Sequence, residues 1–130
     1  MTTLRSFAAA ALAALTALAP LALLGGCDSG PKPPAGVLGD PQRGKLAVTQ
    51  YACHSCHVIP GVTGSDVAVG RPLEDIGKRR FIAGGLLNNQ PNLMHWIRDP
   101  QSVYANSAMP NLGVTENDAR DISAYLLTLD

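Results

Sequence analysis

The sequence predicts a small all-α domain, and three observations carry that reading. A capping threonine, Thr115, precedes an apolar stripe at helical spacing formed by Ala119, Ile122, Tyr125, Leu126 and Leu129. A second helix start stands at Asp40-Pro41, where an N-cap acid is followed by proline at the first helical position. Between them no stretch alternates apolar and polar residues over a useful strand length, and no internal repeat appears.

The chain has 130 residues, room for one small domain once its ends are discounted. Arg5 precedes an apolar stretch from Phe7 to Leu24 that ends in small residues, the layout of an export signal. Leu24-Gly25-Gly26-Cys27 resembles the lipobox of bacterial lipoproteins, which implies removal of residues 1–26 and lipidation of Cys27. The alternatives are an ordinary cleaved signal with an incidental cysteine and an uncleaved anchor helix. Two or three acyl chains anchor a protein where one holds it only weakly. Asp28 resembles the inner-membrane retention signal of Gram-negative lipoproteins, so the expected location is the periplasmic face of the inner membrane. Residues 27–39 then form a proline-rich tether, and residues 40–130 the folded domain.

Within that domain a first helix is expected from about Pro41 to Ala52. Pro60 to Ser65 reads as a loop, with a short helical turn near Leu73 to Ile76. A helix from Pro91 to Arg98 places Leu93, Trp96 and Ile97 on one face, and Pro100 forbids its continuation. Thr115, with Asp118 three residues on, opens the last helix as a weak variant of the capping box.

The chemistry is concentrated in Cys53-His54-Ser55-Cys56-His57, the C-x-x-C-H signature of covalent haem attachment. Two thiols three positions apart reach the two vinyl groups of one porphyrin, and the next histidine is held under the iron. One haem c is therefore expected on Cys53 and Cys56, with His57 as proximal ligand. Such a group also staples a core that would be marginal at this size. A redox dithiol would want a βαβ context and a zinc site a second ligand pair; neither is present. With Cys27 lipidated, all three cysteines are used.

A thioether opposite the histidine stabilises ferrous iron and raises the potential. Met1 leaves with the signal, Met94 falls inside a helix where core packing explains it, and Met109 precedes Pro110 in a loop before the last helix. Met109 is thus the expected distal ligand. His95 is a rival as a second imidazole, and His54, inside the attachment segment, is expected to be exposed.

Charge is balanced, with 10 Lys and Arg against 10 Asp and Glu, and no long basic run carries interleaved aromatics, so nucleic acid is excluded as a partner. Lys78-Arg79-Arg80 is the one dense basic cluster: a solvated loop, a docking patch or a partner of haem propionates.

With these parts placed, the chain resembles class I cytochromes c of bacteria over about residues 40–130. Gly44, Cys53 to His57, Gly70 to Leu73, Met109-Pro110 and Tyr125 fall in that family's order. The resemblance implies three to five helices around one covalently bound haem, with first and last helices crossing where Gly44 accommodates Tyr125. More narrowly, Tyr51 to Gly61, Arg80 to Gly84 and Trp96 to Gln101 are similar to cytochrome c domains associated with haem-copper oxidases. That implies Trp96 as a pocket residue and Arg80 as a propionate partner. The family commonly has Gly-Pro-x-Leu after the haem motif, the proline carbonyl accepting a hydrogen bond from the proximal imidazole; here Gly70-Arg71-Pro72-Leu73 puts Arg71 in that place.

The expected function is that of a membrane-anchored monohaem one-electron carrier in a respiratory chain, not an enzyme by itself. Its partners would be a redox protein donor and acceptor, among them a haem-copper oxidase. The alternative is a fixed cytochrome c subunit of an oxidase or reductase complex; a peroxidase or gas sensor would need an open sixth position on the iron, which Met109 argues against.

Overall fold

Asp40 caps helix α1, Pro41–Gln50, as its position before a proline predicts: in extended backbone, its carboxylate accepts from the N–H groups of Gln42 at 2.8 Å and Arg43 at 3.3 Å. The computed structural model describes residues 30–130, so the expected signal 1–26 and Cys27 lie outside the described residues. Helix α1 ends two residues earlier than the sequence suggests. Tyr51 caps it and Ala52 turns left-handed at φ 53°, which swings the chain into a 3-10 turn over Cys53–Ser55.

A second 3-10 turn covers Ile76–Lys78, just past the expected position. Beyond it lies an element that the sequence does not announce, an antiparallel hairpin of β1, Phe81–Ile82, and β2, Leu86–Leu87, with Phe81 opposite Leu87. Strands of two residues are too short to display an alternation. Ala83 at φ 46° and Gly84 at φ 82° make the hairpin's corner.

Helix α2, Gln90–Arg98, is capped by Asn89, whose side chain accepts from the Asn92 N–H at 3.0 Å. Leu93 and Ile97 are its buried residues. Pro100 stops it as expected, and itself opens a single helical turn, α3, Pro100–Val103. Helix α4, Glu116–Leu126, begins at Thr115, which accepts from the Asp118 N–H at 3.2 Å and donates to its carboxylate at 2.6 Å. The domain is thus all-α apart from one small hairpin.

Helices α1 and α4 cross at Gly44. A β-carbon built there would lie 2.5 Å from the carbonyl carbon of Asp121 and 2.9 Å from Cβ of Tyr125, so only glycine lets the two backbones approach this closely. Val48, Ile59, Leu93 and Ile122 are nearly solvent-free in the core behind the crossing. Beside it sits a buried acid that no motif or spacing singles out. Asp121 accepts from the Asp40 N–H at 2.8 Å and from Arg43 Nε at 2.7 Å. Burial raises the pKa of Asp121, but the hydrogen bond and charge of Arg43 and the Asp40 N–H outweigh it and leave the pKa below its ordinary value.

Two outcomes test this packing. Gly44→Ala gains about 1 kcal/mol of helix propensity, yet overpacking should outweigh it and lower the melting temperature of the haem-loaded protein; a higher one would show the crossing to be loose. Because folding lowers the Asp121 pKa, its contribution is complete above about pH 4 and fades as pH falls through the folded value. Asp121→Asn should therefore cost about 1 kcal/mol at pH 7, given how exposed Arg43 is. It should also flatten the loss of stability in acid-unfolding curves.

Candidate cofactor site

The left-handed Ala52 launches the attachment segment off the end of α1, and the chain beyond it is laced to a second segment. The Gly70 N–H donates to the Cys56 carbonyl at 2.7 Å and the Leu73 N–H to that of Val58 at 2.8 Å. Ser65 adds a local brace, its hydroxyl donating to the His57 carbonyl at 2.9 Å and accepting from the Ile59 N–H. Helix α4 bears on both flanks: Tyr51 donates to Asp118 at 2.8 Å and Tyr125 to the Pro60 carbonyl.

Behind this frame lies an almost wholly apolar cavity bounded by α1, α2, α4 and the loop ahead of α4. Cys53, His57, Trp96 and Met109 all reach its wall, among aliphatic side chains such as Leu73 and Ile122. Cys56 is half-buried and not part of that wall, and neither Cys53 nor Cys56 is in a disulfide. Burial pushes the Cys53 thiol above its ordinary pKa, and Cys56 adds to the rise.

Nδ1 of His57 lies 2.8 Å from the carbonyl of Arg71. A carbonyl only accepts, so Nδ1 carries the proton and Nε2 is left with a free lone pair for a metal. Arg71 thus supplies the carbonyl that proline supplies in the family pattern. Gly70 packs against the same imidazole: a β-carbon there would sit 2.7 Å from Nδ1 and 2.8 Å from Nε2.

The half-buried Met109 is positioned by its backbone, whose N–H donates to Ser107 Oγ at 3.1 Å and whose carbonyl accepts from Gln101 Nε2 at 2.6 Å. Met94 does not reach this cavity; it packs on the core and lines a separate surface groove. His95 is exposed and its Nε2 pairs with Ser102 Oγ at 2.9 Å, away from the cavity.

Arg80 is exposed, its guanidinium 5.4 Å above the ring of Phe81, and it does not line the cavity. The arginine turned inward is Arg79, whose side chain bonds to the Pro72 carbonyl and to Asp75 and holds that carboxyl below its usual pKa. One expectation needs correction: His54 is half-buried rather than exposed, and its Nδ1 is buried without a hydrogen-bond partner. Neither placement can be read from spacing, because adjacent residues of one basic cluster or one tight turn differ only in tertiary surroundings.

The donor set fits a covalently held haem: two thiols at the right spacing, an imidazole presenting Nε2, a thioether on the same cavity, and apolar walls. The family model for cytochrome c matches residues 41–130. The chain belongs to the cytochrome c family. Membership implies a covalently bound haem c. Two curated relatives of this cytochrome c are both described as cytochrome c oxidase subunit 2. That of Alkalihalophilus pseudofirmus is 39% identical over 88 residues, 67% of this chain and 25% of the relative. That of Bacillus sp. (strain PS3) is 31% identical over 87 residues, 64% of this chain and 24% of the relative. The chain therefore spans about a quarter of the length of the relatives it matches.

Sequence reasoning did not single out Ser65 in this cytochrome c, and it named Arg79 only as one member of the basic cluster. A lone serine in a loop carries no signal, whereas Arg79, at i+4 from Asp75, does have the spacing of an ion pair. The Gly70 contact yields a test. Gly70→Ala should tilt the imidazole off the Arg71 carbonyl and lower haem incorporation on a haem-stained gel, whereas wild-type loading and an unchanged spectrum would show the contact to be slack.

Proposed function

We propose that this cytochrome c is a membrane-anchored monohaem electron carrier that moves single electrons between redox proteins of a respiratory chain, close to a haem-copper terminal oxidase. Supporting the reading above all is the shared cavity of His57 and Met109, beside the cysteine that opens the attachment motif. Haem bound there supplies an iron that alternates between two oxidation states without taking up substrate.

The chain's residues do the rest. Cys53 and Cys56 hold the porphyrin through thioether bonds, His57 presents Nε2 with its tautomer set by Arg71, and Met109 offers sulfur from a braced loop. Trp96 and the aliphatic wall exclude water, and that low-dielectric surrounding disfavours added charge on the iron and supports a raised potential. Among the described residues, Cys53 and His57 are the only titratable ones on that wall, so no acid–base pair is positioned for peroxide cleavage.

Anchoring rests on the lipobox-like residues before Cys27. Among the described residues no helix is long and apolar enough to cross a membrane. The periplasmic face of the inner membrane is the location this reading requires. A second reading, a fixed subunit of an oxidase, is favoured by the printed names of both relatives; recovery in one large assembly after mild detergent extraction would select it over a free carrier.

A reduced-minus-oxidised spectrum of the purified protein, with a haem-stained gel, should show one c-type haem in a low-spin state. Met109→Ala should lower the potential and admit carbon monoxide to the reduced protein, and a native potential in that variant would remove Met109 as ligand. Rapid carbon monoxide binding by the wild type would overturn the carrier reading.

A further inference from the structure

We infer that the hairpin Phe81–Leu87, with the cations Lys78 and Arg80, rests on the anionic headgroup surface of the membrane that tethers the domain. The inference depends on the anchor proposed at Cys27 and adds to it a second, non-covalent contact that orients the domain.

Phe81 and Leu87 face each other across the two strands, so their side chains stand side by side. They are 48% and 54% exposed, in a two-stranded ribbon of a kind that has little stability by itself. Arg79 turns inward to Asp75 and the Pro72 carbonyl, while Lys78 and Arg80 are not fully buried and, among the described residues, pair with no carboxylate. Asp75 is engaged by Arg79; Glu74 and Asp130, the latter brought close by the bond from the Gly77 N–H to the Leu129 carbonyl, are the other exposed acids nearby, and neither pairs with Lys78 or Arg80. An aromatic and an aliphatic side chain, with Arg80 over the aromatic ring and Lys78 three residues ahead of it, neither paired with a carboxylate, are the set that seats at a lipid interface: the apolar pair enters the headgroup boundary and the cations meet phosphates.

The attachment point of the tether selects lipid over an acidic protein surface. Gln90, three residues beyond Leu87, grips the backbone of Leu38 with both ends of its amide. Its Oε1 accepts from the Leu38 N–H at 2.8 Å, and its Nε2 donates to the Leu38 carbonyl. The same Nε2 donates to Ser123 Oγ at 3.0 Å, fastening the grip to α4. Leu38 is itself 67% exposed. The chain between Cys27 and Val37 spans at most about 35 Å, and Gln90 lies within about 11 Å of Leu87 along the backbone. A lipid at Cys27 therefore keeps this face near the bilayer at high effective concentration, an advantage that no diffusing partner has.

The test uses the lipidated, haem-loaded full protein on vesicles of phosphatidylcholine alone and of phosphatidylcholine with phosphatidylglycerol, read by amide hydrogen exchange. Amides of residues 80–88 should exchange about tenfold more slowly on the anionic vesicles. Lys78→Gln and Arg80→Gln should each remove about fivefold of the vesicle-dependent protection, since each deletes one cation from the surface contact, with haem spectrum and melting temperature unchanged as the folding control. Protein that floats with both vesicles while the hairpin exchanges equally on each overturns the inference and leaves the anchor standing. Absence from floated vesicles overturns the anchor and the inference with it. Protection that scales with protein density on the vesicle, or that appears only when an acidic redox protein is added, assigns the hairpin to a second copy or to that partner and also overturns it.

Discussion

Everything in this domain is referred to the place where α1 and α4 touch without a side chain between them. The missing β-carbon of Gly44 brings backbone against backbone, and Ala47 and Val48 of the same helix and Ile122 and Tyr125 of the other then close over the core. Glycine costs helix propensity at that position, and the close fit offsets the loss by dispersion contacts that no larger residue could make. Asp121 locks the same crossing from its polar side, taking up the Asp40 N–H at the head of α1 and the guanidinium of Arg43.

The cofactor cavity is a consequence of that crossing rather than a separate construction. Val48 of α1 and Ile122 and Leu126 of α4 are at once core residues and cavity wall. Two of the site's groups have defined partners: the imidazole has the Arg71 carbonyl, and the backbone of Met109 has Ser107 and Gln101. In an apolar enclosure such preorganisation matters more than additional contacts, because a ligand that need not reorganise when charge changes passes an electron at lower cost.

Legibility from the sequence tracked the range of the interactions. Asp40, Asn89 and Thr115 cap their helices through neighbours two or three residues away, and the helix starts were correspondingly plain from Asp40 and Thr115. The attachment motif was legible for the same reason, since its spacing is its chemistry. The Gly44 crossing joins helices at opposite ends of the domain and became readable through resemblance to the cytochrome c family, whereas Met109 stood out among three methionines by its place before Pro110. What stayed hidden was decided by tertiary surroundings. Arg79 and Arg80 are adjacent and chemically identical, yet one bonds inward to the Pro72 carbonyl and the other lies over Phe81. The burial of His54, the hairpin at Phe81 and the acid at Asp121 likewise leave no periodic trace.

The two tyrosine braces on the attachment segment have a temporal meaning. Tyr51 is secured by Asp118 and Pro60 by Tyr125, partners 67 and 65 residues further along the chain. A polypeptide made from its N-terminus therefore presents both thiols in a slack, accessible strand long before the helix that clamps them exists. Until α4 is made neither brace can form, and the segment is held only by contacts nearer in sequence, such as the Gly70 N–H on the Cys56 carbonyl and Ser65 on that of His57.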